Sequence, residues 1–225
     1  MLIVIEGLDG SGKSTQVEKV RKYLADKYDR PVRYIHFPRY DAPVAGGMIA
    51  RFLRGEFGTI DEVHPQIVAL MFADDRRDAA PEMKKWLKNG DIVFLDRYVY
   101  SNIAFQCAKM NDPAEADKLA QWIKETEYIH YGIPVPDLNI FLDVPLAFVD
   151  CKLKDHREGD DREYLNGKQD IHEADISFQK KVRDIYLKQC ASDSRFIRID
   201  CSDNEGRMLP VDGIFTKIKS ELDKI

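Results

Sequence analysis

The 225-residue sequence contains no apolar run approaching the roughly 18 residues that a membrane-spanning helix requires. Its first apolar stretch, Leu2-Ile3-Val4-Ile5, is interrupted by Glu6 and has no basic flank, so it reads as a strand and not as a signal peptide. Cysteine is sparse. Cys107, Cys151, Cys190 and Cys201 are scattered, with no C-x-x-C and no histidine at metal-ligand spacing, and they read as reduced, buried thiols of a cytoplasmic protein. Blocks of like charge are missing as well. The formal net charge is −5 with acids and bases interspersed, which argues against nucleic acid held on a basic face but not against one nucleotide held by a few placed cations. There is no internal repeat and no low-complexity linker, and the five histidines do not cluster. With 44% hydrophobic and 32% charged residues, this length predicts a single domain, 1–225, around one large core.

What is present is organised around Gly7-Leu8-Asp9-Gly10-Ser11-Gly12-Lys13-Ser14-Thr15, directly behind the first apolar run. Gly7 and Gly12, with four residues between them and Lys13-Ser14 following, have the spacing of a P-loop. Backbone N–H groups of such a loop turn inward onto phosphate oxygens, the lysine reaches the β- and γ-phosphates, and the Ser14 hydroxyl is placed to bind Mg²⁺. The helix expected from about Lys13 to Lys27 adds its unpaired N-terminal amides to the same anion.

Further along, the pattern predicts strands over 32–37, 91–96, 138–142 and 195–199. Helices are predicted over 44–53, 65–87, 99–109, 113–128, 145–154, 171–189 and 210–222, with Pro81 expected to kink or split the second of these. The stretch 155–168 has few apolar residues and two glycines, and reads as a mobile, charged lid. Alternating strands and helices imply an α/β fold, a parallel sheet of about five strands with helices on both faces. Ligands of such sheets bind at the carboxyl ends of the strands, where Phe37, Asp96 and the P-loop all fall. Asp96 closes an apolar strand at the position of a Walker carboxylate for Mg²⁺, although a helix N-cap is compatible with the same place. Arg97, its neighbour, is within reach of a phosphate that it can bind bidentately.

Four segments taken together, G-L-D-G-S-G-K-S-T, F-P-R-Y at 37–40, F-A-D-D-R at 72–76 and L-D-R-Y-V-Y-S-N at 95–102, resemble the thymidylate kinase family of P-loop nucleotide kinases. The resemblance runs in order from Met1 to about Tyr186, where D-I-H-E-A-D-I-S-F-Q-K-K-V is similar to the family's helix after the lid. It implies phosphoryl transfer from ATP, with Mg²⁺, to dTMP. The P-loop residues Gly7, Gly10, Ser11, Gly12, Lys13, Ser14 and Thr15 would bind ATP, and Ser14 and Asp96 the metal. By the same resemblance Phe72 would stack on thymine, Arg76 would hydrogen-bond the base and Phe37 would wall the pocket. Arg39 and Arg97 would hold the acceptor phosphate, Asn102, Phe105 and Gln106 would line base and sugar, and Asp9 would stand between sugar and phosphate. Phe72 and Arg76 are four apart on one helix and share a face, whereas Arg77 points about 100° away from Arg76.

Members of this family supply a cation for the moving phosphoryl group either from the P-loop or from the lid. Gly10 stands at the P-loop position, so the resemblance implies a lid arginine, Arg157 or Arg162. The segment Asp170-Ile171-His172-Glu173 lacks the arginine of the D-R-x-E pattern seen in many bacterial members, which leaves the choice between those two open. The family also implies a homodimer, for which the stretch 65–70 is apolar enough. Two other readings share the P-loop. One is a kinase for another nucleoside monophosphate or for a deoxynucleoside. The other, a GTPase switch, needs an N-K-x-D guanine reader, and the nearest string, Gly167-Lys168-Gln169-Asp170, begins with glycine.

Overall fold

The apolar runs form five strands, β1 (Leu2–Gly7), β2 (Val32–His36), β3 (Ile92–Asp96), β4 (Leu138–Asp143) and β5 (Phe196–Asp200). The computed structural model describes residues 1–154, 160–167, 170–173 and 175–225. All four strand pairings are parallel, and the sheet order is β2-β3-β1-β4-β5. The three inner strands are buried along their whole length, which is why they read as unbroken apolar runs; the edge strands β2 and β5 alternate in burial. From β1 the chain moves first to the β2-β3 side and later to the β4-β5 side. The reversal opens a crevice at the carboxyl end of β1, the general location of ligand sites in such sheets.

The helices are α1 (Lys13–Lys27), α2 (Ala45–Leu53), α3 (Pro65–Lys88), α4 (Val99–Cys107), α5 (Pro113–Lys124), α6 (Leu146–Lys154), α7 (Ile176–Ser192) and α8 (Val211–Leu222). A π-helical turn, Glu125–His130, continues α5, and a 3-10 turn spans Asp160–Leu165. α1 packs on α8 and on the sheet, while α3, α4 and α7 pack on one another and on the sheet. A second apolar cluster of Ile49, Phe52, Leu53, Val68 and Met71 joins α2 to α3 and receives Tyr40, Phe72, Tyr164 and Ile171 at its edge.

Several boundaries differ from the pattern-based ones. Pro81 does not split α3. It lies on the exposed face with Arg77, whose carbonyl loses its helical donor, while Ala79, Ala80 and Met83 hold the helix on the core. Helix α7 begins five residues later than the apolar spacing suggests, because the Asp170 carboxylate accepts from the His172 N–H (2.8 Å) and the Ile171 N–H bonds the Leu53 carbonyl (3.0 Å). Asp175 then caps α7 by accepting from the Ser177 N–H at 2.7 Å. The four cysteines are free thiols, but only Cys107 and Cys201 are buried. Cys190 is half-buried and Cys151 is exposed on α6. Part of the expected lid, 160–165, is a 3-10 turn, and 155–159 and 168–169 lie outside the described residues.

Glu6, fully buried on β1, replaces a side-chain cap at the start of α4. It accepts from the N–H groups of Tyr98 (2.9 Å) and Ser101 (3.2 Å), from the Ser101 hydroxyl (2.5 Å) and from the Tyr186 hydroxyl (3.1 Å). Burial raises its pKa, and these donors and the Arg97 charge work against that rise. The Glu6→Ala variant leaves two buried amides and one of the two hydroxyls, which lie 2.8 Å apart, short of an acceptor, and it is expected to lose about 3 kcal/mol of unfolding free energy. Urea unfolding measures this, and a loss below about 1 kcal/mol would remove Glu6 from the structural account.

Candidate active site

At the end of β1 the backbone turns sharply to enter α1. A Cβ on Gly7 would lie 2.8 Å from the Ser11 hydroxyl, and Gly12 has φ +77°, so neither position accepts an ordinary side chain without a shift or strain. Gly12 also starts α1 with no side-chain cap, which leaves the first amides of the helix facing the loop. Lys13 is buried and donates to the Leu8 carbonyl at 3.1 Å, whereas Ser14 and Thr15 are exposed toward the cleft. Burial, then the nearby Arg97 charge, lower the Lys13 pKa to about 8 against the opposing pull of Asp96, Asp9 and Glu6.

Asp96, at the end of β3, is 4% exposed. One of its oxygens faces His36 Nδ1 at 3.2 Å, and Oδ1 is buried with no hydrogen-bond partner. Burial opposes its ionisation, but His36, Lys13 and Arg97 outweigh it and hold the pKa below the usual carboxylate range. Arg97 follows at φ +66°. It donates to the Gly7 carbonyl (2.8 Å), the Ser101 hydroxyl (3.2 Å) and Asp9 Oδ1 (2.5 Å).

Two cavities meet here. One, of about 1980 Å³ and open to solvent, runs from the P-loop toward the β4-β5 side, where Val144, Phe148, Cys201, Met208 and Leu209 line it. The other, of about 530 Å³, lies between α3 and α4, and Phe37, Phe72, Arg76, Asn102, Phe105 and Gln106 line it. Asp9 and Arg97 line both. Arg76 is 2% exposed and bidentate to Glu127, with Nε to Oε2 at 2.5 Å and Nη2 to Oε1 at 2.7 Å. Asn102 donates from Nδ2 to Glu127 Oε1 (2.9 Å) and to the Ala69 carbonyl (3.0 Å), leaving Oδ1 buried and unpartnered. Gln106 accepts from Lys109 Nζ at 2.7 Å.

The smaller cavity is thus a slot between aromatic rings with a donor and an acceptor on its wall, next to a phosphate loop. Residues 5–208 match the thymidylate kinase sequence profile. The chain belongs to the thymidylate kinase family. It is 31% identical over 210 residues to the thymidylate kinase of Mycobacterium tuberculosis, covering 92% of this chain and 95% of that one. It is 32% identical over 202 residues to the thymidylate kinase of Arabidopsis thaliana, covering 90% of this chain and 65% of that one. Among solved structures, thymidylate kinase from Candida albicans superposes with a TM-score of 0.71 at 26% identity, covering 99% of this chain and 91% of that one. The protein is accordingly an enzyme of the nucleoside monophosphate kinase class, and its fold is the α/β fold of a P-loop kinase.

Of the residues that the family motifs singled out, the fold brings most to these two cavities. Arg39 is an exception. Its guanidinium is turned onto α3, bound to Asp75 Oδ1 (2.8 Å), the Asp75 carbonyl (2.9 Å) and Asp78 (2.7 Å), and it lines neither cavity. Arg157 and the side chain of Arg162 lie outside the described residues. Sequence reasoning missed Glu127, Gln179, Tyr40, Tyr164, Asp170 and His172. Gln179 reaches from α7 to bond both the Asp9 N–H (3.3 Å) and its carboxylate (3.0 Å). Tyr164 stacks on Tyr40 with centroids 3.8 Å apart and donates to Asp170 at 2.7 Å; both rings line both cavities. Asp170 is buried, and that burial, together with the charge of Asp9, pushes its pKa up to about 7. The F-P-R-Y and D-I-H-E strings held Tyr40, Asp170 and His172 in plain view, but no spacing rule connects them.

A lysine that loses its proton near pH 8 sets a pH dependence. In the free enzyme Lys13 is protonated below about 8 and neutral above it, so the affinity for a polyphosphate falls as pH rises through that value. A bound triphosphate favours the ammonium, and binding near pH 8.5 therefore takes up a proton. Calorimetric titration with ATP in buffers of different ionisation enthalpy is expected to show that uptake at pH 8.5 and its disappearance at pH 6.5. Zero uptake at both would place the Lys13 pKa elsewhere.

Proposed function

We propose that the protein transfers the γ-phosphoryl group of MgATP to dTMP, giving dTDP and ADP. The observation that carries this reading is the pair Asp9 and Arg97, which borders both the phosphate-loop cleft and the aromatic slot, so that a donor and an acceptor would meet between them. Catalysis of such a transfer rests on alignment and charge neutralisation. The acceptor is already an anion at neutral pH and needs no general base.

In this reading the P-loop amides and Lys13 hold the β- and γ-phosphates, and Arg97 bridges to the acceptor phosphate. Mg²⁺ suits the oxygen donors at hand, since Asp96 Oδ1 is buried without a partner and the Ser14 hydroxyl stands at the mouth of the loop. When bound, the ion neutralises charge on the donor phosphates. The base enters the slot against Phe72. Arg76 Nη1, which has no hydrogen bond among the described residues, donates to the 4-oxo group, and Asn102 Oδ1 accepts from the N3–H of thymine. Phe105 offers the sugar an apolar edge, so an added 2′-hydroxyl is disfavoured only modestly. Gly10 supplies no side chain, and the lid arginines Arg157 and Arg162 are the cations that would meet the bridging oxygen. A cytoplasmic location fits four free thiols. A homodimer fits the apolar side chains of Ile67 on α3 and Met48 on α2, which are 55% and 41% exposed.

A panel of nucleoside monophosphates with MgATP tests the reading, and dTMP is expected to give the highest kcat/KM. Equal values for dTMP and dCMP would overturn it. Lys13→Ala is expected to abolish transfer with the fold retained, as judged by circular dichroism.

The lid assignment has its own measurement. Loss of a transition-state cation lowers kcat with little change in KM, and such cations are worth roughly 10³ to 10⁵ in rate. The double variant Arg157→Ala/Arg162→Ala is expected to lose at least about 10³ in kcat, and the two single variants to be non-additive. Wild-type kcat in the double variant would move the catalytic cation elsewhere.

A further inference from the structure

Glu127 touches neither cavity, yet it is bound to both polar groups on the wall of the slot. It sits in the π-helical turn Glu125–His130, which bonds Tyr131 N–H to the Thr126 carbonyl (2.8 Å) and Ile133 N–H to the Glu127 carbonyl (3.1 Å), and it is fully buried. A π-helical turn inserted at the end of an ordinary helix frequently marks a functional position.

We infer that Glu127 sets the base preference of the acceptor pocket, by fixing the polarity of the Arg76 and Asn102 pair so that a donor and an acceptor face the base in one order only. The inference rests on the proposed reading that a pyrimidine occupies this slot. The two bonds from Arg76 to Glu127 fix the guanidinium plane and use Nε and Nη2, leaving Nη1 as the donor on the pocket side. Both contacts of Asn102 Nδ2, the Glu127 carboxylate and the Ala69 carbonyl, are acceptors without a proton. Turning the Asn102 amide would set Oδ1 against both of them and lose two hydrogen bonds at once. The amide oxygen is therefore held away from both of them, as the unpartnered polar atom of Asn102.

Arg76 Nη1 beside Asn102 Oδ1 is the complement of a 4-oxo pyrimidine carrying a proton on N3. A 4-amino pyrimidine, with a donor at C4 and a bare N3, meets the pair with both signs reversed. Three donors converge on Glu127, and a carboxylate has acceptor sites for all three, whereas a glutamine would set an N–H against Arg76 Nε in place of Oε2, or against both Arg76 Nη2 and Asn102 Nδ2 in place of Oε1. Asp75, the neighbour of Arg76 on α3, cannot substitute, since its oxygens are engaged by the Arg39 backbone and guanidinium at 2.8 Å each. Glu127 is thus a positioning residue, acting through two residues that would touch the base.

The test measures kcat/KM for dTMP and dCMP at saturating MgATP in wild type, Glu127→Gln and Glu127→Asp, with thermal unfolding of each. In Glu127→Gln the amide N–H displaces either the acceptor of Arg76 Nε or the shared acceptor of Arg76 Nη2 and Asn102 Nδ2, so the pair loses its fixed order. The dTMP-to-dCMP ratio of kcat/KM is then expected to fall at least about tenfold, mainly through a higher KM for dTMP. Glu127→Asp keeps the charge but stops one methylene short of holding both partners. It is expected to lower the ratio at least about threefold, and it decides the matter if the glutamine variant does not fold. A purely structural role would lower the unfolding temperature and change both substrates equally. An unchanged ratio in a folded variant overturns the inference about Glu127 alone, whereas a wild type that does not phosphorylate dTMP overturns the reading on which it rests.

Discussion

The guanidinium of Arg97 ties together two stretches of chain that the sequence keeps far apart. Its bonds to the Gly7 carbonyl, to Asp9 and to Ser101 join the end of β1, the P-loop and the first turn of α4. To reach them the backbone at Arg97 adopts φ +66°, a conformation that disfavours a residue with a Cβ by about 1–2 kcal/mol. The Arg97 N–H bond to the Ile5 carbonyl (2.9 Å) and the buried guanidinium contacts hold it there. Strain of this kind is held only where the surrounding contacts over-determine the residue, as they do here. The same residue adds to the burial that lowers the Lys13 pKa and, after His36 and Lys13, supports the ionised form of Asp96.

Around that junction the buried charges are arranged in pairs with different outcomes. Asp9 is held by Arg97 and Gln179, and Asp96 by His36 with Lys13 and Arg97 nearby. Asp170 has Tyr164 and the His172 amide as donors but no cation bonded to it among the described residues, and it faces the charge of Asp9. Its pKa accordingly rises toward neutrality while that of Asp96 falls. Two carboxylates of similar burial are thus separated by their neighbours alone.

The sheet and the P-loop were legible because their signals are local. An unbroken apolar run marks each inner strand, and the phosphate loop needs Gly7 and Gly12 for the close approach of Ser11 and the left-handed turn at φ +77°. The continuity of α3 through Pro81 and the start of α7 were misread for reasons that periodicity does not contain. Pro81 is tolerated because of which face it occupies, and Ile171 is drawn out of the helix by a carbonyl on α2. Arg39 shows the same limit at the site. A family motif implies a phosphate contact for it, and its guanidinium is bound to Asp75 and Asp78, partners visible only once α3 is folded against the loop. Glu127 carried no sequence signal at all, being one acid among several on a helix that looks amphipathic and ordinary.

The two halves of the site therefore differ in how their chemistry is encoded. The phosphate cradle is made of backbone N–H groups, glycine conformations and one lysine, and any substitution there acts on geometry shared by every triphosphate. The slot between α3 and α4 is made of side chains whose orientation is set by other side chains, Arg76 and Asn102 by Glu127, and Gln106 by Lys109. A wall of that kind is altered by side-chain substitutions that leave the helices in place, whereas the cradle changes only with the backbone itself.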